Sequence, residues 1–549
     1  MRKCGTMSLH QRLPPRSALA VATLVVLSSA PACRPTPSGG ALAELTAAPT
    51  VGRNLVVVLS DTHRVDHVTG FPGTVGDPTP NVARLMAEGV AFDNALTPVP
   101  ISAPAYATLM TGLPPTAHGL LNNQQHLGPE PPLLQEALQA AGYRTAAVVS
   151  NTFCTAAHGF GRGFDHYWDQ VEGRGKEGEI VTSEAIAWLE ANAGVGPFFL
   201  FLAYMDAHTP YISPAVPPSL RVEVNGAWLR DEQAENAHVV QRYPVTLQPG
   251  RTTITLTFLD SDGPATPADG PSPLHVKGLR LASGRPLERT AGVVEVESTG
   301  FERLANRAEL TVDLPGREPV ADELVFRCHR AYRPERIPSF YEAGVRSFDA
   351  AFGRLGDHLV DAGLWDDAVV VFVSDHGEML GEHGAWGHVE HLWQESLRVP
   401  MVVKAPGVPG GRWDSTRLGL ADLHDLLLDL ALGPDPARTA AAASRRERAF
   451  VAATYPPEGG RFQVAALAGG LKVVVDETGA ERAFDLEADP RELHDLLPLG
   501  ADDPELAELL AAARAELRAA TAAETLDLDS LTPDERDRLR ALGYLDDGS

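Results

Sequence analysis

Two stretches of the chain are apolar at consecutive positions and then end in a carboxylate: Asn54-Leu-Val-Val-Val-Leu-Ser-Asp61 and Val369-Val-Val-Phe-Val-Ser-Asp375-His376-Gly-Glu378. An uninterrupted β-branched run lacks the polar alternation of a half-solvated strand, so it suits a strand covered on both faces, as in a parallel sheet flanked by helices. Ligands of open α/β sheets bind beyond the carboxyl ends of the strands. The pattern therefore delivers Asp61, Asp375 and His376 to one edge of one sheet.

Helical patterns fill the intervals. Thr79-Pro to Gly89 has Pro in the first turn and a Gly stop, and Val90 to Leu96 returns as a strand. A proline-punctuated turn then feeds a helix that Gly112 ends, with Ser102 just before its N-terminus, where backbone N–H groups favour an anion. From Ser339 to Ala362, Tyr341, Val345, Phe348, Phe352, Leu355 and Leu359 recur at helical spacing and read as core. Between 217 and 330 the periodicity changes to short alternating strands broken by Gly, Pro and Asp. This reads as an inserted all-β module, a small sandwich, for which carbohydrate binding and a spacer or pocket-shaping role are both open. The Ala- and Arg-rich stretch from Arg438 to Arg448 reads as a solvated helix or loop, and Thr532-Pro533 to Gly543 as a capped terminal helix.

Composition narrows the function classes. With 549 residues and 44% hydrophobic side chains the chain can build a large core. Its net charge of −26 and its lack of a basic stripe argue against nucleic acid as a partner. Residues 1–33 read as an export signal: basic residues precede the apolar stretch Ala18 to Leu27, which is shorter than the roughly 20 residues that span a bilayer. Residues 34–50 read as a tether. The expectation is a periplasmic or cell-surface protein. The four cysteines show no metal-ligand spacing; Cys154 and Cys328 are either bridged or, as the simpler reading, isolated thiols.

Four segments in order resemble the sulfatase branch of the alkaline phosphatase superfamily. They are Asn54 to Asp66, Ile101-Ser102-Ala-Pro-Ala-Tyr106 to Gly112, Phe198 to His208-Thr-Pro-Tyr211, and Ser374 to His388 continued by Glu395 to Pro400. The end of the leader, Ser-Ser-Ala-Pro-Ala-Cys33, likewise resembles a bacterial lipoprotein signal, which implies a lipid anchor at Cys33 as the sole membrane contact.

The family resemblance implies an α/β, alkaline phosphatase-like sandwich with a large, mostly parallel central sheet. That domain is divided into 51–216 and 331–435 around the inserted module, with a small C-terminal β subdomain and terminal helix in 436–549. It also implies a metal-dependent hydrolase of sulfate esters acting on a sulfated or phosphorylated small molecule or glycan. Asp61, Asp375 and His376 would hold one divalent ion, Ca²⁺, Mn²⁺ or Mg²⁺, with Zn²⁺ as a further candidate. Ser102 would be the nucleophile, and His208 and His388 would contact the ester or the leaving group. Tyr106 and His118 are further candidate substrate contacts, His63 and Asp66 weaker candidates, and His383 and His391 structural. Family members oxidise Cys or Ser to formylglycine where an Arg stands at the position of Tyr106, so this modification is not expected here. An unmodified Ser102 makes phosphomonoester, phosphodiester or phosphonate ester hydrolysis the alternative. A non-catalytic lipoprotein that binds anionic glycans is the third reading.

Overall fold

The computed structural model describes residues 40–169, 178–209, 211, 219–233, 241–259, 274–296, 301–330, 337–455, 461–499 and 503–522. The expected export signal with Cys33, and the expected terminal helix at 531–545, lie outside the described residues; the expected tether is corrected over 41–46, a short helix whose Ala41 and Leu45 are buried in the main core.

Eight strands build the central sheet: β1 (Leu55–Ser60), β2 (Val90–Phe92), β3 (Arg144–Val149), β4 (His166–Trp168), β5 (Phe198–Tyr204), β6 (Val369–Val373), β7 (Met401–Lys404) and β8 (Arg412–Asp414). Their order across the sheet is β8-β2-β7-β6-β1-β5-β3-β4. β7 alone is antiparallel to its neighbours β6 and β2; the other pairings are parallel. The two apolar runs are central neighbours in the sheet. Successive residues of one strand enter different cores. Val57, Leu59, Phe201 and Val371 join a cluster with Leu109, Leu423 and Leu427. Val56, Val58, Leu202 and Phe372 join another with Val181, Phe348 and Phe352. Both faces are therefore dry, which is why these strands carry no polar alternation. Each such Val, Leu or Phe contributes roughly 1.5–3 kcal/mol by burial.

The helices that matter to the site are α1 (Ser102–Thr111), α2 (Gly178–Asn192), α3 (Ile337–Asp361) and α4 (Leu420–Leu432). Gly112 ends α1 at φ 69°, and a Cβ there would come within 2.5 Å of the His424 ring, so both conformation and space require glycine. In α3 the six apolar residues read as core are all buried.

Eight strands from Ser219–Val224 to Val320–Arg330 connect into one antiparallel sheet. Val222, Ile254, Leu256, Leu310 and Leu324 form a cluster of their own within it. Further on, Phe450–Ala453, Gln463–Ala468, Leu471–Asp476 and Glu481–Asp485 form a four-stranded antiparallel sheet. The stretch near Arg438 is a helix, Pro436–Glu447, started by Asp435 accepting from the Ala437 N–H. It is solvated as expected, with Ala442 its one buried residue, and Arg438 pairs with Asp429 and Arg445 with Asp422 and Asp425. Cys154 is a buried free thiol. Among the described residues no helix is long and apolar enough to cross a membrane.

Candidate active site and metal centre

β1 and β6 run side by side with Leu59 opposite Val373. Each continues for two residues to an aspartate, so Asp61 and Asp375 emerge together. The ligand atoms of Asp61, Asp375 and His376 lie within 4.8 Å of one another, and all three residues are fully buried. The contacts around them leave three atoms turned inward. Asp61 Oδ2 accepts from Asn151 Nδ2 at 2.8 Å, while Oδ1 has no hydrogen-bond partner. Asp375 Oδ1 accepts from the N–H groups of Thr62 and His376 at 3.1 and 2.9 Å, while Oδ2 makes no hydrogen bond and lies 3.4 Å from His376 Nε2. His376 Nδ1–H donates to the Gly377 carbonyl at 3.0 Å, a tautomer that leaves the lone pair on Nε2.

Burial, reinforced by the neighbouring Asp375 charge, pushes the Asp61 carboxyl up to about 7. Burial likewise raises Asp375 to about 6, against the N–H donors of Thr62 and His376. It lowers His376 to about 4, assisted by the charge of His388. Two orphaned buried carboxylate oxygens beside a neutral imidazole nitrogen are costly without a cation and satisfied by one. The donor set thus fits a divalent ion, as expected from the sequence.

Gly377 shows how tightly the second loop is built. A Cβ on it would stand 1.9 Å from the Glu395 carbonyl oxygen, which is backbone and cannot yield cheaply. Gly377→Ala is expected to destabilise the protein by roughly 2–3 kcal/mol, read as a lower midpoint in thermal or urea denaturation.

Ser102 is the first residue of α1, buried, with Oγ 3.4 Å from His376 Nε2. His388 sits on the same side: its ring centroid is 4.4 Å from that of His376 and 5.2 Å from that of His208. His388 Nδ1 is 3.0 Å from Glu378 Oε1. Burial pulls the His388 pKa down, but the Glu378 carboxylate outweighs it and the net shift is upward. The structure thus brings together Asp61, Asp375, His376, Ser102, His208 and His388.

Of two further expected substrate contacts, His118 is committed elsewhere, while Tyr106 keeps its ring in the core and its buried hydroxyl without a hydrogen-bond partner. The Tyr106 ring lies in the apolar core, edge-on to Phe201 and Phe160 at 5.9 and 6.4 Å, and is 1% exposed. Burial drives its phenol well above the usual range, with the Asp61 and Asp375 charges adding to it. His118 pins the turn after α1. Its Nδ1 accepts from the Leu120 N–H at 3.1 Å and its Nε2 meets Thr108 Oγ1 at 3.2 Å, so both nitrogens are committed locally. His63 likewise points into apolar surroundings, edge-on to Phe348 and Phe372, with Nδ1 on Ser60 Oγ. Asp66 orders the loop: its two oxygens take Arg64 Nε and Nη2 at 2.9 and 2.7 Å. His383 stacks on Trp393, a structural contact.

Several polar residues at the site escape the sequence reading. Asn151 fixes Asp61, and Glu378 fixes His388. Asn123 Oδ1 accepts from the Ala103 N–H at 2.9 Å, which leaves its Nδ2 buried and without a partner near the start of α1. Gln124, next in sequence to Asn123, has both side-chain amide atoms buried without partners. The only local signal for the last two is the run Asn122-Asn-Gln-Gln125 soon after the α1 segment.

Comparison with known proteins identifies the lineage and the fold. A sequence profile of the family described as Sulfatase matches residues 53–434. The chain is 23% identical over 410 residues to an N-acetylglucosamine-6-O-sulfatase of Bacteroides thetaiotaomicron, a match covering 69% of this chain and 67% of that protein. It is 22% identical over 395 residues to arylsulfatase K of Canis lupus familiaris, covering 70% and 64%. Among solved structures, a protein in complex with its substrate D-glucosamine-2-N,6-O-disulfate superposes with a TM-score of 0.54 at 16% identity, covering 87% of this chain and all of that one. A phosphonate monoester hydrolase of Agrobacterium radiobacter superposes with a TM-score of 0.53 at 18% identity, covering 88% and 98%. At these identities the superpositions show the fold, and the profile shows the lineage. The chain belongs to the sulfatase family of hydrolases and has the α/β, alkaline phosphatase-like fold, with a large mixed, mostly parallel sheet and additional antiparallel sheets.

Proposed function

We propose that this protein is an exported hydrolase of sulfate esters that acts on a sulfated glycan, with unmodified Ser102 as nucleophile. The observation that carries the reading is the convergence of Ser102 Oγ on His376 Nε2 beside the two orphaned carboxylate oxygens of Asp61 and Asp375. The sulfated sugars named for relatives such as the N-acetylglucosamine-6-O-sulfatase support the substrate class.

A divalent ion held by Asp61, Asp375 and His376 would supply positive charge beside the ester oxygens and favour the deprotonated form of Ser102, whose proton passes to solvent. Ser102 Oγ then forms a bond to sulfur as the bond from sulfur to the leaving oxygen breaks. His388, whose pKa the Glu378 carboxylate raises, gives the leaving oxygen its proton. His208, whose ring neighbours that of His388, orients the ester. Water attacks sulfur of the serine ester in the second half, returning the hydroxyl to Ser102 and releasing sulfate. The Asn123 amide, anchored on α1, offers a donor to an ester oxygen.

A second reading rests on Tyr106. Tyr, not Arg, stands at position 106, and a plain serine nucleophile suits phosphate or phosphonate esters. Turnover of matched aryl sulfate and aryl phosphate substrates, each with Mn²⁺, Ca²⁺ or Zn²⁺, decides between them. Faster sulfate release supports the first reading and faster phosphate release the second. No turnover with any metal sinks both and leaves a glycan-binding protein. An unchanged mass for the Ser102 peptide is expected, and formylglycine there would overturn the serine mechanism.

A further inference from the structure

Thr62, directly after the metal ligand Asp61, has φ 57°. A β-branched residue rarely adopts this left-handed conformation, and it persists only where neighbours impose it. The Tyr341 hydroxyl, from the first turns of α3, accepts from the Arg64 N–H at 2.8 Å and donates to the Thr62 carbonyl at 2.8 Å. One oxygen atom thereby clamps both ends of the reversed segment. The same turn sets the Thr62 N–H on Asp375 Oδ1 at 3.1 Å and the His63 N–H on Ser374 Oγ at 2.9 Å, which joins the loop of the first ligand to that of the second. Arg64 adds a further tie, reaching the Glu378 carbonyl at 3.0 Å and Glu382 at 2.9 Å. Tyr341 is fully buried, with the rings of His67 and Tyr211 edge-on against it, so the phenol has little room to move.

We propose that Tyr341 is a positioning residue for the metal centre: its hydroxyl holds Thr62 in the left-handed turn that keeps Asp61 and Asp375 in register for one divalent ion. Its ring alone would serve the core equally well as phenylalanine. The hydroxyl is needed only to bridge Thr62 and Arg64. The inference rests on the metal site and not on the identity of the ester.

Tyr341→Phe deletes that one atom. Titrating Mn²⁺ into the full chain, the variant is expected to bind roughly 10-fold more weakly than the parent, the lower end of the cost of losing a direct outer partner of a metal ligand, because Tyr341 acts through Thr62. The Mn²⁺-induced rise in Tm should shrink, while the Tm of the metal-stripped protein changes much less. Thr62→Gly relieves the left-handed residue of its steric cost, so the double variant Thr62→Gly/Tyr341→Phe is expected to recover most of the lost affinity. Equal loss of Tm with and without Mn²⁺ at unchanged affinity would make Tyr341 a core residue only and overturn the proposal. So would a double variant that binds no better than Tyr341→Phe. If Tyr341→Phe is insoluble, the double variant carries the test, and its failure to fold also overturns the proposal. A parent chain that takes up no divalent ion ends both this inference and the proposed mechanism. One that binds Mn²⁺ without turning over any ester ends the mechanism alone.

Discussion

Ser102→Ala lowers kcat by at least roughly 10³-fold, with a much smaller change in KM, when aryl sulfate or aryl phosphate turnover is measured under saturating metal. The size follows from the role: a group that forms the covalent intermediate has no substitute within reach, and losing it removes the first half of the reaction outright. The protein should tolerate the change well. Ser102 Oγ makes its described contact with His376 Nε2 at 3.4 Å, a long hydrogen bond that contributes little to stability. Alanine also remains a good residue in the first turn of a helix. Metal titration should therefore give the same stoichiometry in the variant as in the parent. Activity within a few-fold of the parent would exclude Ser102 as the nucleophile, and joint loss of metal binding would recast it as a ligand.

The second large effect is expected at Asp61, and its direction depends on the metal. In the metal-free protein the carboxyl is raised from its ordinary 3.8 to about 7, with burial the main cause. A carboxyl whose pKa is higher in the folded state contributes stability at low pH, and this contribution is lost as pH rises through about 7. Asparagine reproduces the neutral form at every pH and retains an oxygen for the Asn151 amide. Asp61→Asn in the metal-stripped protein should accordingly be more stable than the parent by roughly 2–4 kcal/mol at pH 8, with the gap closing toward pH 5. With Mn²⁺ present the order reverses, because the parent gains the binding energy of the ion and the variant has lost a charged ligand. Thermal denaturation at the two pH values, with EDTA and with Mn²⁺, reads all four corners. A variant less stable than the parent in EDTA at pH 8 would show that Asp61 is satisfied by something other than a metal.

The strands and the candidate metal ligands were legible in the sequence because their signals are local. A strand dry on both faces must be apolar at every position, and a carboxylate at its end stands out against that run. Asp61, Asp375 and His376 could be paired for that reason. His118 and Tyr106 could not be placed in the same way, since a lone histidine or tyrosine looks alike whether it faces a ligand or a neighbouring side chain. His118 turned out to be committed to Thr108 and Leu120, and Tyr106 to lie against Phe201. Tyr341 was read as core from its helical spacing. Its ring is core, but its hydroxyl reaches Thr62, 279 positions away in the chain.

The sequence by itself determined the layered sheet, the pair of strands that carry the ligands, the position of Ser102 at a helix start and the inserted β-rich stretch, because periodicity and turn chemistry act within a few residues. The tertiary structure decided which polar atoms were left without partners. Asp61 Oδ1, Asp375 Oδ2 and Asn123 Nδ2 are orphaned only because other groups, some distant in sequence, hold the second atom of each side chain. A hydrogen bond satisfied or withheld depends on what the fold brings within about 3 Å, and that distance has no counterpart in the order of residues along the chain.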